Sequence, residues 1–519
     1  MRPNTALTWR ATLALVSRIL TQGAGLLSQL IVTPILLTLL GVDLYGAWIV
    51  LQNSLAYVLI VDLRAGATLR FKLGTHQHED DLVYKRTQVG GALVAWLVTV
   101  PLLILLGVPL IWWAPEITGV PATLSATVKL TMGILVLWMV LERLLYIPAN
   151  ILLALNLEYR AMGLRTLVVL TTSFGMVLAA YWGWGLPGMA SMAMVAGLVD
   201  AGVRFVILRR NVPWLGVIFP NRAEVMTFLS FSVWLLLSNL GQALLISSQY
   251  VLVGLLFNPA LVTIYAITGG ISRYLFGAAK LLFDAGDAGV LQIVGEKDFV
   301  RLERVRHELH LMTLGFMVFV GATTLLLNES FIGLWVGQQF FGGVGLTFLG
   351  WMAITFQSLY HIESFINQAL GKVRQSSLAS SLSGGFAIVL TLALVPTMQI
   401  WGIALGAVLG GGMLTGYLWW LTALQTGYSI GLKLRSLAGF TVRASILLGI
   451  CAFVAPYIHL QDWLTFVLGG AGLSVAFASI IFWGVFDGSQ REIIQQRLTP
   501  LIRRLLQPLR RVWQAVLHS

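Results

Sequence analysis

Apolar runs of about 20 residues recur along nearly the whole chain, and few architectures can hold them. Each run, at 1.5 Å rise per residue, covers a hydrocarbon core of about 30 Å. Marking them gives roughly fourteen spans, centred near Leu26, Tyr57, Pro101, Gly133, Phe174, Ala196, Gly241, Ser272, Met317, Thr355, Ile388, Leu409, Cys451 and Val475. Charged residues make up only 10% of the chain, against roughly 25% in soluble domains. The expected fold class is therefore all-α integral membrane, with about 14 transmembrane helices. The net charge of +12 does not point to nucleic acid, because the basic residues are dispersed among spans. The single cysteine, Cys451, permits neither an internal disulfide nor a cysteine metal site. The basic start, MRPNTALTWRATLALVSR, lacks a small-residue cleavage site after its apolar run and reads as an uncleaved first span.

Loop charge orients the spans. The turns GVDLYG, WWAPEITGVP, WGWGLPG, FNPALV, NESFIGLWVGQQFFGG, PTMQIWG and HLQDW contain no Lys or Arg. The intervening loops are basic, among them one with Lys297, Arg301, Arg304 and Arg306, so both termini are expected in the cytoplasm. The stretch 489–519 carries Arg503, Arg504, Arg510 and Arg511 beside helically spaced Leu and Ile, as an amphipathic helix on an anionic leaflet would. A solvated basic tail is the alternative.

An internal repeat follows from shifting the chain on itself. A shift of 220 brings Gln22 onto Gln242, Gln29 onto Gln249, Tyr45 onto Tyr265 and Ala65-Gly66 onto Ala285-Gly286. A shift of 214 brings Tyr146 onto Tyr360 and Arg160 onto Arg374. Two six-helix lobes in pseudo-twofold parallel repeat are expected, at 11–210 and 222–422. Two extra helices at 440–486 and the tail at 489–519 lie outside the repeat.

Charge inside the spans marks where function is to be sought, since an Arg or Lys at a helix centre costs about 2.5 to 3.5 kcal/mol. On the first span Arg18, Gln22, Gly25, Gln29 and Thr33 form one stripe, at steps of four, three, four and four. Asn53, Tyr57, Arg64 and Thr68 form another on the second span, with Asp62 just off it. Arg273, Gly277, Lys280, Asp284 and Asp287 make a third. We expect Arg18, Arg64, Arg273, Lys280 and Arg143 to give a cavity cationic character. Gln22, Gln29, Asn53, Gln242 and Gln249 would supply its polar wall, with Asn239 beside them. Guanidinium groups suit phosphate, and amides suit sugar hydroxyls, so the expected ligand is an anionic amphiphile. Snorkelling of the long side chains and purely structural ion pairing remain open readings. Asp62, Asp284 and Glu363 are candidate ion carriers. His76 with His78, and His307 with His310, read as solvated loop residues and not as a metal site.

The run PILLTLLGVDLYGAWIVLQNSLAYVLIVDLRAG resembles the signature of polysaccharide (Wzx-type O-antigen) flippases: a Pro, a Leu-Gly-x-x-x-Tyr-Gly-x-Trp turn and an Asp-Leu-x-x-Gly element. The span count, two lobes and short loops are similar to the wider multidrug/oligosaccharidyl-lipid/polysaccharide exporter superfamily. Arg64-Ala65 departs from the small pair expected there. The resemblance implies a non-enzymatic flippase of the bacterial inner membrane. It would translocate an undecaprenyl-pyrophosphate-linked oligosaccharide by alternating access, alongside other polysaccharide assembly proteins. No ATP-binding motif occurs, and no cofactor or metal is expected. Two alternatives compete. A multidrug antiporter of the same superfamily would want an acid on the first span, where this chain has Arg18. A membrane polymerase or glycosyltransferase would want a sizeable outer loop, where Glu116, Glu329 and Asp462 stand isolated.

Overall fold

The computed structural model describes residues 3–63, 65–75, 81–155, 157–161, 163–284, 287–428 and 430–496; several side chains within these ranges, notably those of 3–19, 227–233 and 281–284, are outside the description. Among the described residues every regular element is helical and no strand occurs. Eleven helices are long and apolar enough to cross a membrane, so the chain is a multi-pass membrane protein.

Helix α1 runs Pro3–Val58 but is broken at Gly41, whose φ of 79° lies in the left-handed region. A side chain would be strained there, and the break turns one long apolar stretch into the two expected spans joined at GVDLYG. Those two spans count once among the eleven, as Leu20–Val61. The first unit continues with α2 (Ala65–Thr75), α3 (Leu82–Thr118), α4 (Ser125–Leu145), α5 (Ile147–Ala154), α6 (Leu164–Tyr181) and α7 (Gly185–Asn211). Next come α8 (Arg222–Gln242), a π-helical turn at Ala243–Ser247, α9 (Ser248–Leu256) and α10 (Pro259–Thr268). Then follow α11 (Gly270–Asp284), α12 (Asp287–Gly295), α13 (Phe299–Trp335) and α14 (Val344–Ala369). The last are α15 (Val373–Met398), α16 (Ile400–Thr426), α17 (Ile430–Val454) and α18 (Trp463–Ile480). The expected spans near Ser272 and Thr355 fall on α11 and α14, which are not among the eleven. Helix α11 has only 15 residues. Helix α14 has 26, but carries His361, Glu363, Asn367 and Gln368 in its second half.

By packing, the chain forms two compact units, Met1–Ile267 with Val373–Gly410 and Thr268–Lys372 with Gly411–Ser519. The core of the first includes Leu51, Leu103, Met132, Leu186 and Met189, all fully buried. That of the second gathers Met317, Trp351, Phe440, Phe477 and Phe486. Its centre is fixed by the Trp351 indole, which donates to the Met317 carbonyl at 2.6 Å. Gly321 lets the ring in, because a Cβ there would lie 2.6 Å from it. Leu97, Leu105, Trp112 and Trp113 on α3 are between 55% and 66% exposed, an apolar face that lipid, not water, must cover. The expected basic tail at 489–519 is described only as far as residue 496; the rest lies outside the described residues.

Candidate functional site

The first unit contains a cavity of about 470 Å³. Its walls come from three breaks in helical structure. The first follows α1, where a tight turn at Leu59–Val61 runs into Asp62 in extended backbone (φ −72°, ψ 110°), which carries the Asp62 carboxylate out of the helical path. The second is the junction of α4 and α5. Pro148 lies in the first turn of α5, where its missing N–H costs nothing, and the chain bends at Tyr146. The junction lays Arg143, Tyr146 and Asn150 along the cavity wall, at steps of three and four. The third is the π-helical turn after α8. Asn239, Gln242, Ile246 and Ser247 line the opposite wall across it.

At the centre of the lining, an Arg143 terminal nitrogen stands 3.4 Å from the Asp62 carboxylate, and the other stands 3.5 Å from Glu142. The Arg143 side chain is 33% exposed, and its Nε is buried with no hydrogen-bond partner among the described residues. This guanidinium is loosely held and has donors to spare. Asp62 is the more enclosed partner, at 10%. Asn150 donates to the Tyr146 carbonyl at 2.9 Å. It leaves no room beside Gly66, where a Cβ would come 2.4 Å from its amide nitrogen. The Trp96 indole, itself part of the lining, donates to the Val140 carbonyl at 3.2 Å and ties α3 to α4.

Of the residues expected to shape a cavity, Arg143, Asp62, Gln242 and Asn239 are brought together here. Gln22 and Gln29 are exposed on α1 and do not line it. The Asn53 amide donates to the Ile49 carbonyl at 2.9 Å. The Gln249 amide donates to the Leu245 carbonyl and accepts from the Tyr265 hydroxyl. Arg273 and Lys280 are on α11 of the second unit, and neither is among the lining residues. Arg64 lies outside the described residues, as do the side chains of Arg18 and Asp284. The charged groups of the described lining are thus one base and one acid. Trp96, Thr99, Tyr146 and Asn150 were not anticipated. The offset that placed Tyr146 over Tyr360 and Arg160 over Arg374 was the one sequence signal near two of them.

Glu363 has a different setting. Its carboxylate accepts from the Arg306 Nε at 2.7 Å and from the Thr422 hydroxyl at 2.8 Å, and lies 2.9 Å from the His310 Nε2. Arg306 also reaches Glu303 at 2.8 Å. Asn367 donates to the Thr422 hydroxyl at 2.8 Å and closes the ring of contacts. Arg306, His310 and Glu363 are each no more than 1% exposed. The expectation that Arg306 and His310 belong to a solvated loop is therefore corrected: α13 begins at Phe299, and both residues sit on its buried face. Other charges in spans also have local accounts. Arg204 pairs with Asp200 at 2.9 Å, and the Lys129 ammonium lies 4.7 Å from the centre of the Trp112 ring.

No protein-family model matches the sequence, and no curated protein matches it. Solved structures do. One titled lipid II flippase MurJ, inward closed conformation, aligns with a TM-score of 0.63 at 12% identity, covering 92% of this chain and 99% of that one. An inward-facing multidrug resistance MATE family transporter of the MOP superfamily aligns at 0.57 and 12% identity, covering 79% and 98%. A point mutant of the Vibrio cholerae MATE transporter VcmN aligns at 0.53 and 18% identity, covering 83% and 98%. The class that the fold defines is a polytopic all-helical membrane protein. Within it, this chain shares its fold with a lipid flippase and with multidrug transporters alike.

Proposed function

We propose that the protein is a flippase that moves an undecaprenyl-pyrophosphate-linked oligosaccharide across the bacterial inner membrane by alternating access between two six-helix lobes. The observation that carries this reading is Arg143. It is a partly exposed guanidinium on a cavity wall, held by Asp62 at 3.4 Å, with a buried Nε that has no partner among the described residues. Such a group offers planar donors to a pyrophosphate, while Asn239, Gln242 and Asn150 suit sugar hydroxyls. The first-hairpin signature and the length over which the chain aligns with a lipid flippase support the same reading. Among the candidate ion carriers we favour Asp62, because the Glu363 carboxylate is already fully engaged.

One observation favours the alternative, a multidrug antiporter. Asp62 puts an acid on the cavity and balances Arg143, so the described lining has no surplus of positive charge. Thermal stabilisation of the purified protein separates the two. Undecaprenyl pyrophosphate should raise the unfolding midpoint of the wild type, and Arg143→Gln should lose most of that rise, measured against its own unliganded midpoint because the enclosed Asp62 loses its guanidinium. Stabilisation by cationic dyes, with none by the pyrophosphate lipid, would overturn the flippase reading in favour of the antiporter.

A further inference from the structure

The corner between α7 and α8 is a built surface with no role in the cavity. Residues 212–221 leave the end of the span Gly185–Asn211 and fold back on the start of α3. The Arg86 Nε donates to the Trp214 carbonyl at 2.8 Å, and the Ile218 N–H donates to the Arg86 carbonyl at 3.3 Å. The Lys85 ammonium lies 6.0 Å from the Trp214 ring centre. Gly90 permits this approach, since a Cβ there would overlap the Ile218 carbonyl. Asn221 and Glu224 then cap α8 reciprocally, at 2.9 and 2.7 Å.

This well-fixed corner nevertheless points apolar residues outward. Phe219 is 70% exposed and Val217 46%, with Met226 at 63% close by. Arg209, Arg210 and Arg222, which flank Val217 and Phe219 in the chain, are exposed and form no ion pair with any described residue. The first two have a local use, since cations in the last turn of α7 face the negative end of its dipole. Arg222 has none, because the first turn of α8 presents the positive end.

We propose that this corner is a docking surface for anionic phospholipid. It stands at the end of a spanning helix, where headgroups begin. An exposed Phe between arginines matches a lipid surface, with the ring at the acyl boundary and the guanidinium groups on phosphate. Free phosphate would leave Phe219 and Val217 unexplained. The surface works whatever the cavity carries.

The test uses full-length protein in a neutral detergent, titrated with phosphatidylglycerol or phosphatidylcholine and followed by thermal unfolding and by native mass spectrometry. Phosphatidylglycerol should bind wild type more tightly than phosphatidylcholine, and the preference should fall as salt rises. Each arginine removed in the series Arg209→Gln, Arg210→Gln and Arg222→Gln should weaken phosphatidylglycerol about fivefold at low salt. Phe219→Ser should weaken both lipids alike. Unfolding in detergent alone should be unchanged in Arg222→Gln and Phe219→Ser and slightly lowered in Arg209→Gln and Arg210→Gln, which lose a charge at the end of α7, so the first two variants keep a folding defect apart from a binding one. If the triple arginine variant binds phosphatidylglycerol as wild type does, the proposal fails. It fails equally if lipid binding is unchanged but the variants lose export in cells, which would assign the corner to a protein partner.

Discussion

Each unit holds an acid against an arginine inside the apolar part of the chain, and the two pairs are built for opposite purposes. In the first unit, Asp62 and Arg143 meet at 3.4 Å on the wall of a cavity, with the arginine one third exposed and one nitrogen unpartnered among the described residues. In the second, Glu363 and Arg306 meet at 2.7 Å with almost no exposure, and Thr422 and His310 complete the carboxylate's surroundings. A buried charge without a mate costs several kcal/mol, and in the second site Arg306 is paired with both Glu363 and Glu303. Both arginines keep one buried nitrogen without a partner among the described residues, Nε of Arg143 and Nη2 of Arg306, but the first pair lines a cavity and is partly exposed. The difference shows that charge in a membrane span is not by itself evidence of transport. What separates function from support is whether the paired charges open onto a cavity.

The comparison can be broken by substitution. The largest effect is expected at Glu363. Glu363→Ala removes the more deeply buried of the two carboxylates that hold Arg306, leaving Glu303, and should cost about 3 kcal/mol, read as a lowered unfolding midpoint or a loss of folded yield. A near-silent Glu363→Ala would mean that this cluster is no more structural than the cavity pair. Next comes Gly66→Val, which forces atoms against the Asn150 amide. Overpacking of this kind should cost about 1 to 3 kcal/mol and narrow the cavity, so stability and ligand-induced stabilisation should fall together. Arg143→Gln, in contrast, leaves the cavity its room and should reduce the ligand-induced rise more than it reduces the unliganded midpoint. The smallest effect is at Asp462, an exposed reference outside the spans. Its carboxylate accepts from the Thr465 backbone N–H at 2.8 Å and from the Thr465 hydroxyl at 2.9 Å, which hold it below the usual carboxylate range. A lowered folded value means that this stabilisation is present above a pH of about 4 and is lost as pH falls through the lowered value. The gap in unfolding midpoint between wild type and Asp462→Ala should therefore be constant from neutral pH to about 5 and close on further acidification.

Much of the site lay beyond sequence reading for a definite reason. The stripe argument treats each span as an unbroken helix, and the cavity is made where helices break: after Val58, at Tyr146 and through the π turn at Ala243–Ser247. Asp62, placed just off its stripe, lines the cavity because the backbone there is extended. Gln29 and Asn53, squarely on their stripes, do not. The stripes registered polarity but not its partners. Arg306 and His310 looked like loop residues because α13 extends well past the apolar run that marked it.

The sequence by itself determined that this chain is a helical membrane protein. Apolar runs of span length admit no other satisfaction of the backbone in lipid, and Gly41 in the turn GVDLYG marks where the first hairpin bends. Only the tertiary structure decided which intramembrane charges are spent. The mates of Arg143 and of Arg306 are 81 and 57 positions away, at Asp62 and Glu363, and no periodicity along one helix carries that information. Pairing is set by helix packing and by local breaks in the helices, and it leaves Arg143 with a nitrogen in reserve and Glu363 with its oxygens engaged.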